Sequence, residues 1–170
     1  VKDALSGLPA EKSIMVGPEN ISCFLTQAIN KECQVIEAAN PAIAFKAVKN
    51  EVQIRHLEDT AVKDGIAVVS FLFRLAHQDA AGEMTELSAA DALFSLRKAR
   101  EHFVDNSFDP IVAWKMHSAI VHYNADEESS VPFKGDGMLL VDSGGNYLTG
   151  TTDITRTLWL GTPPSKARED

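Results

Sequence analysis

The feature that most constrains this chain is a run of apolar residues at helical spacing between positions 50 and 78. Leu57, Ala61, Val68, Leu72 and Leu75 follow one another in steps of three, four and seven, so they line one stripe of a single long helix. Asn50-Glu51-Val52-Gln53 opens it as a capping-box pattern, the Asn side chain accepting from the third helical amide while Gln53 reaches back. Asp79-Ala80-Ala81-Gly82 closes it, and Gly65 is where so long a helix is expected to bend. Thr85 suits the N-cap of a second helix, with Leu87, Ala90, Leu93, Phe94 and Leu96 as its buried face.

After His102 the texture changes. Phe108 to Trp114 and Ser118 to Tyr123 read as two strands, and Asn124 to Ser130 as a polar loop. Gly137 to Val141 and Asp153 to Leu160 read as further strands, joined through Ser143-Gly144-Gly145 and Thr149-Gly150. Two helices followed by an antiparallel sheet predict an α+β fold rather than alternating βαβ units. Ahead of the long helix, strands at Ser13 to Val16 and Gln34 to Ile36 flank a helical pattern at Ile21, Phe24, Leu25, Ala28 and Ile29. That is an αβ fragment in need of a partner sheet. Ala42 to Val48 reads as a short helix or a connector.

Charge removes several function classes. Sixteen Lys and Arg stand against 24 Asp and Glu, a net −8 in 170 residues, with no basic cluster to offset it. Such a surface repels nucleic-acid phosphates and anionic lipid. No apolar run reaches the roughly 18–20 residues that span a bilayer, and residues 1–12 lack a signal-peptide layout. Cys23 and Cys33 make no disulfide framework and read as buried free thiols of a cytoplasmic protein. With no initiator Met and no closing element after residue 160, the sequence reads as cut at both ends.

Chemistry concentrates between 141 and 157. Asp142 and Asp153 lie at the ends of strand-like runs with glycines between them. If those strands pair, the carboxylates face one another, about 4.5–5.5 Å apart at Cβ when directly opposed. Two carboxylates that close need either a shared proton or a cation between them. A hard divalent ion such as Mn²⁺ meets that need. The same Asp-Ser-Gly-Gly string is also an ordinary turn, and spacing leaves both readings open.

The string DSGGNYLTGTTDITRT resembles the aminopeptidase P signature, typically DSGGQYLDGTTDITRT. KNEVQIRHLEDTAVKDGIAVVSFL is similar to the first helix of that family's catalytic domain, TELSAADA to the start of its second, and SFDPIVAWKMHSAIVHY to the strand pair leading to its substrate-side histidine. The resemblance implies the pita-bread fold, two α+β halves around a dinuclear metal site, and cleavage between an N-terminal residue and a following proline. It implies that residues 1–47 are the tail of a creatinase-type N-terminal domain and 48–170 the first half of the catalytic domain. By position, Asp142 resembles the bidentate ligand of one metal, Asp153 the carboxylate bridging two divalent ions, and His122 the histidine near the scissile bond.

The family's other ligands, one His and two Glu, come from the second half. No histidine follows Asp153 here, and the one late glutamate is Glu169. The 170 residues alone are therefore expected to bind metal weakly and to lack peptidase activity. The apolar face of a half-domain predicts self-association. His56, His77 and His102 read as surface or packing residues, and His117 as facing away from His122 on a shared strand. Trp114 and Trp159 read as packing residues. Arg156 is equally a partner of the site or a charged strand residue, and Asp126-Glu127-Glu128 reads as a solvated loop. The rivals to an aminopeptidase are an Xaa-Pro dipeptidase and a non-catalytic peptide- or partner-binding module. Creatinase, which shares the fold without metals, fits poorly with two retained aspartates.

Overall fold

The computed structural model describes residues 1–77 and 84–162. It divides into two compact units, Val1–Asn50 and Glu51–Asp170.

The first unit contains α1 (Lys2–Ser6), β1 (Ser13–Val16), α2 (Cys23–Ala28), β2 (Gln34–Glu37) and α3 (Pro41–Ala47). β1 and β2 pair in parallel, Ser13 opposite Gln34 through Val16 opposite Glu37, with α2 as the crossover. The Ser22 hydroxyl caps α2 and Asn40 caps α3, where Pro41 takes the first helical position. Val16, Ile29 and Cys33 form a small core. Both cysteines are free as expected, but Cys23 is exposed rather than buried.

The second unit is built on α4 (Glu51–His77) and α5 (Glu86–Lys98). α4 runs through Gly65 without interruption, and the expected stop at Asp79 to Gly82 lies outside the described residues. Thr85 caps α5 as expected, in a reciprocal box with Ser88. Three strands then form one antiparallel sheet in the order β4 (Ile111–Trp114), β5 (Gly137–Ser143), β8 (Ile154–Leu160). A smaller sheet has the order β3 (Phe103–Asn106), β6 (Gly145–Tyr147), β7 (Gly150–Thr151). The α+β expectation holds, but β3, β6 and β7 are strands the hydropathy pattern did not reveal, the last two lying where connections were expected.

One face of the larger sheet meets the helices. Val112, Trp114, Leu139, Val141 and Leu160 share a core with Val68, Phe71, Leu75, Ala89, Leu93 and Phe133. Trp114 is a packing residue as expected, its ring 5.4 Å from Phe133. The buried stripes differ from the expected ones: Ala61 is exposed, and of the expected α5 face only Leu93 is fully buried, with Leu87, Ala90, Phe94 and Leu96 half-buried. On α4 the stripe includes Thr60 and Asp64, and on α5 it runs Glu86, Ala89, Leu93, Arg97, so each helix buries charge as well as hydrocarbon.

The expected strand over Ser118 to Tyr123 does not form. Lys115–Ala119 is a turn of 3₁₀ helix, and Ile120 and Val121 are exposed. The physical reason is a competing acceptor. The Trp114 amide, at the edge of β4, donates to the buried Glu86 carboxylate at 2.7 Å, and the chain wraps around that group instead of adding a strand.

Candidate metal centre

Alternation along β5 separates two jobs. Leu139 and Val141 go to the core, while Met138, Leu140 and Asp142 lie on the opposite face. Asp142 stands between Ile111 of β4 and Thr155 of β8. The Thr155 hydroxyl donates to Asp142 Oδ1 at 2.8 Å. Asp153 is exposed, immediately precedes β8 and lies two residues before Thr155. Register sets Asp142 directly opposite Thr155, and Asp153, outside the strand and two residues before Thr155, is not its directly opposed partner. The ladder stops at Ser143 opposite Ile154 because the chain leaves at Gly144 to enter the smaller sheet.

The excursion from Asp142 to Asp153 is tied down at each end. Gly144 has no room for a side chain, since a Cβ there would run into the Thr152 carbonyl and the Ser107 hydroxyl. Thr152 and Gly145 exchange two bonds: the Thr152 amide donates to the Gly145 carbonyl, and the Gly145 amide to Thr152 Oγ1, both at 2.9 Å. Ser107 Oγ donates to the Thr152 carbonyl at 3.0 Å. The Thr152 hydroxyl in turn donates to Asp64 Oδ2 at 2.9 Å.

Asp64 is fully buried, as is its ion-pair partner Arg97, whose Nε and Nη2 donate to Oδ1 and Oδ2 at 2.7 and 3.2 Å. The Tyr147 hydroxyl donates to Oδ1 at 2.9 Å. Burial pushes the Asp64 carboxyl up, but the Arg97 hydrogen bonds and charge, with Thr152 and Tyr147, outweigh it and hold the group below its usual range. Burial and the Asp64 carboxylate push the Tyr147 phenol well above its ordinary value.

His122 sits in a turn, exposed, with φ of +55°, a left-handed conformation that histidine adopts more readily than most residues. The next residue fixes it. Tyr123 is buried and donates its hydroxyl to Glu86 Oε2 at 2.8 Å. Glu86, fully buried at the first position of α5, also takes the Val131 amide and holds His117 Nδ1 at 2.9 Å from Oε1. The His117 and Tyr123 rings lie 4.5 Å apart. His117 and His122 thus do not share a strand; one joins a buried carboxylate cluster and the other is left in solvent.

His77 stacks on Phe73 and holds the Phe73 carbonyl, while Arg156 is exposed with its Nη1 on the Thr155 carbonyl. Sequence reasoning missed Asp64, Glu86 and Arg97. The signal was available: Asp64 falls on the buried stripe of α4 four residues after Thr60, and Glu86 and Arg97 bracket Ala89 and Leu93 on α5. An acid and a base on facing apolar stripes imply a buried pair.

Asp142 and Asp153 supply hard oxygen donors, the type that Mg²⁺ and Mn²⁺ select. Among the described residues no group of three or more His, Cys, Asp or Glu is placed to hold an ion. No helix among the described residues is long and apolar enough to cross a membrane.

Comparison with known proteins shows what the chain is similar to. The model of metallopeptidase family M24 matches residues 27–170, starting inside the first unit. A probable Xaa-Pro aminopeptidase P of Arthroderma benhamiae is 36% identical over 144 residues, 84% of this chain and 21% of that protein. Xaa-Pro aminopeptidase 2 of Mus musculus is 33% identical over 170 residues, 99% of this chain and 25% of that protein. Among solved structures, the X-prolyl aminopeptidase of Caenorhabditis elegans, described as a cytosolic enzyme with a dinuclear active site, superposes with a TM-score of 0.81 at 30% identity, over 89% of this chain and 25% of that one. The chain thus spans about a quarter of the length of these relatives. Its helices and sheets are those of the pita-bread neighbours, and the chain belongs to metallopeptidase family M24.

Proposed function

We propose that this segment is part of a dinuclear-metal aminopeptidase that releases the N-terminal residue from peptides with proline in second position. Asp142 and Asp153 are two of its metal ligands, and His122 is the histidine that meets substrate. The observation that carries this reading is Asp142 directly opposed to Thr155 on the β5–β8 ribbon, with Asp153 two residues before Thr155 in the chain. Two divalent ions, Mn²⁺ first among them, would lower the pKa of a bound water and polarise the scissile carbonyl. The chain's own residues hold and orient: Thr155 ties down one oxygen of Asp142, and Tyr123 holds the turn that presents the His122 ring. The names of the relatives support the Xaa-Pro specificity, and the description of the Caenorhabditis elegans enzyme as cytosolic supports a cytoplasmic setting. Nothing separately favours a dipeptidase or a non-catalytic module.

The domain reading belongs to the same proposal, with 1–47 as the tail of a creatinase-type domain and 48–170 as half of the catalytic one. So does weak metal binding by the segment alone. Self-association is supported by an exposed apolar stripe on α4, Val62, Ile66, Val69 and Phe73. With a net charge of −8, peptides rather than nucleic acid or membranes are the expected partners. The test is hydrolysis of an Xaa-Pro-Xaa tripeptide and an Xaa-Pro dipeptide by the Mn²⁺-loaded complete polypeptide. Cleavage of the tripeptide, abolished in Asp142→Ala and Asp153→Ala, supports the proposal. No cleavage of either peptide, or cleavage untouched by both substitutions, overturns it.

A further inference from the structure

We propose that Asp64 is a positioning residue for the carboxylate pair, acting through Thr152 to fix the connection that carries the chain from Asp142 to Asp153. This rests on the metal-ligand reading above. The excursion over residues 143–152 is a crossing between two sheets. It leaves one sheet, enters another and returns, and the place of Asp153 depends on where Thr152, its immediate neighbour, is held. Three struts converge on Thr152: Ser107 Oγ on its carbonyl, Gly145 on its amide and hydroxyl, and Asp64 Oδ2 accepting from its hydroxyl. Only the last comes from outside the strands and their connections, from the middle of α4. A second tie from the same helix lies one turn away, where Thr60 Oγ1 and Thr149 Oγ1 meet at 2.7 Å.

The chemistry of Asp64 suits this role better than a purely stabilising one. A buried ion pair is commonly no more stabilising than well-packed hydrocarbon of the same volume. What a carboxylate offers is direction. Arg97 takes one position on each oxygen, and the remaining acceptor positions are taken by Tyr147 on Oδ1 and Thr152 on Oδ2. Both of those residues belong to the excursion, Tyr147 ending β6 and Thr152 following β7. Arg97 orients Asp64, and Asp64 orients the two hydroxyls. A metal site needs its ligands held within about 0.5 Å, and groups that orient ligands typically change metal affinity 10–100-fold when removed.

The test uses the complete polypeptide and Mn²⁺ as the probe, with affinity read by calorimetry and folding by thermal melting of the metal-free protein. Thr152→Val removes the hydroxyl at nearly constant volume, and Thr152→Ser restores it. The expected result is Mn²⁺ binding at least about tenfold weaker in Thr152→Val and in Asp64→Asn, with Thr152→Ser within about threefold of the parent. Thr152→Val that melts lower yet binds Mn²⁺ like the parent overturns the positioning role, because a merely structural hydroxyl moves stability alone. Asp142→Ala separates the two proposals. If it abolishes binding while Thr152→Val does not alter it, only the positioning role fails; if it leaves binding intact, the metal-ligand reading itself fails.

Discussion

Asp142 on β5 stands directly opposite Thr155 on β8, and the threonine hydroxyl donates a 2.8 Å hydrogen bond to its carboxylate. One of the two Asp142 oxygens is thereby held in a fixed direction. Thr155→Val keeps the β-branched shape but removes the donor. In the complete polypeptide it is expected to weaken Mn²⁺ binding about tenfold, read by calorimetric titration, with Thr155→Ser close to the parent.

Acid should unfold this chain partly through Asp64. Its folded pKa is held below the ordinary value of 3.8, so the unfolded chain binds more protons there. The stabilisation is present above that unfolded value and is lost as pH falls through the folded one. Asp64→Asn removes this dependence and leaves Arg97 buried without a counter-charge. Urea unfolding at pH 7 is expected to show a loss of about 3–5 kcal/mol, with a flatter decline below about pH 4 than in the parent.

Gly144 tests the close approach of two strand ends. A Cβ there would meet the Thr152 carbonyl and the Ser107 hydroxyl, both already engaged with each other. Gly144→Ala is expected to destabilise the chain by about 1–3 kcal/mol or more, measured by chemical denaturation. Gly65→Ala is the control: nothing lies within contact of a Cβ at that helical position, so a small gain in stability is expected.

Glu86 gathers the Trp114 and Val131 amides, the Tyr123 hydroxyl and the His117 ring. Glu86→Gln has one acceptor oxygen for a site that uses two. A loss of about 1–3 kcal/mol is expected, together with faster hydrogen exchange at the Trp114 and Val131 amides. Unchanged exchange at both amides would show that the carboxylate does not hold the turn before His122.

The elements set by periodicity were legible from the residues. Most of the α4 stripe, the Thr85 cap and the two strands β5 and β8 follow from apolar spacing and turn chemistry, because each is decided within a short stretch of chain. What escaped was decided across the chain. Ser118 to Tyr123 has the composition of a strand, yet Glu86, more than thirty residues earlier, draws Trp114, His117 and Tyr123 around one carboxylate. Asp142 was legible as a strand residue, but its place opposite Thr155, with the ladder ending at Ser143 and the chain crowded at Gly144, is set by contacts across the sheet. Asp64 and Arg97 were hidden for a simpler reason: apolar spacing marks no charged residue as buried, and these two pair with one another inside.

The most direct measurement is an anomalous difference map at the manganese edge from crystals of the complete polypeptide grown with Mn²⁺. A metal peak within about 2.2 Å of oxygens from both Asp142 and Asp153 is the predicted result. Manganese bound elsewhere, with both carboxylates left to solvent, would contradict it.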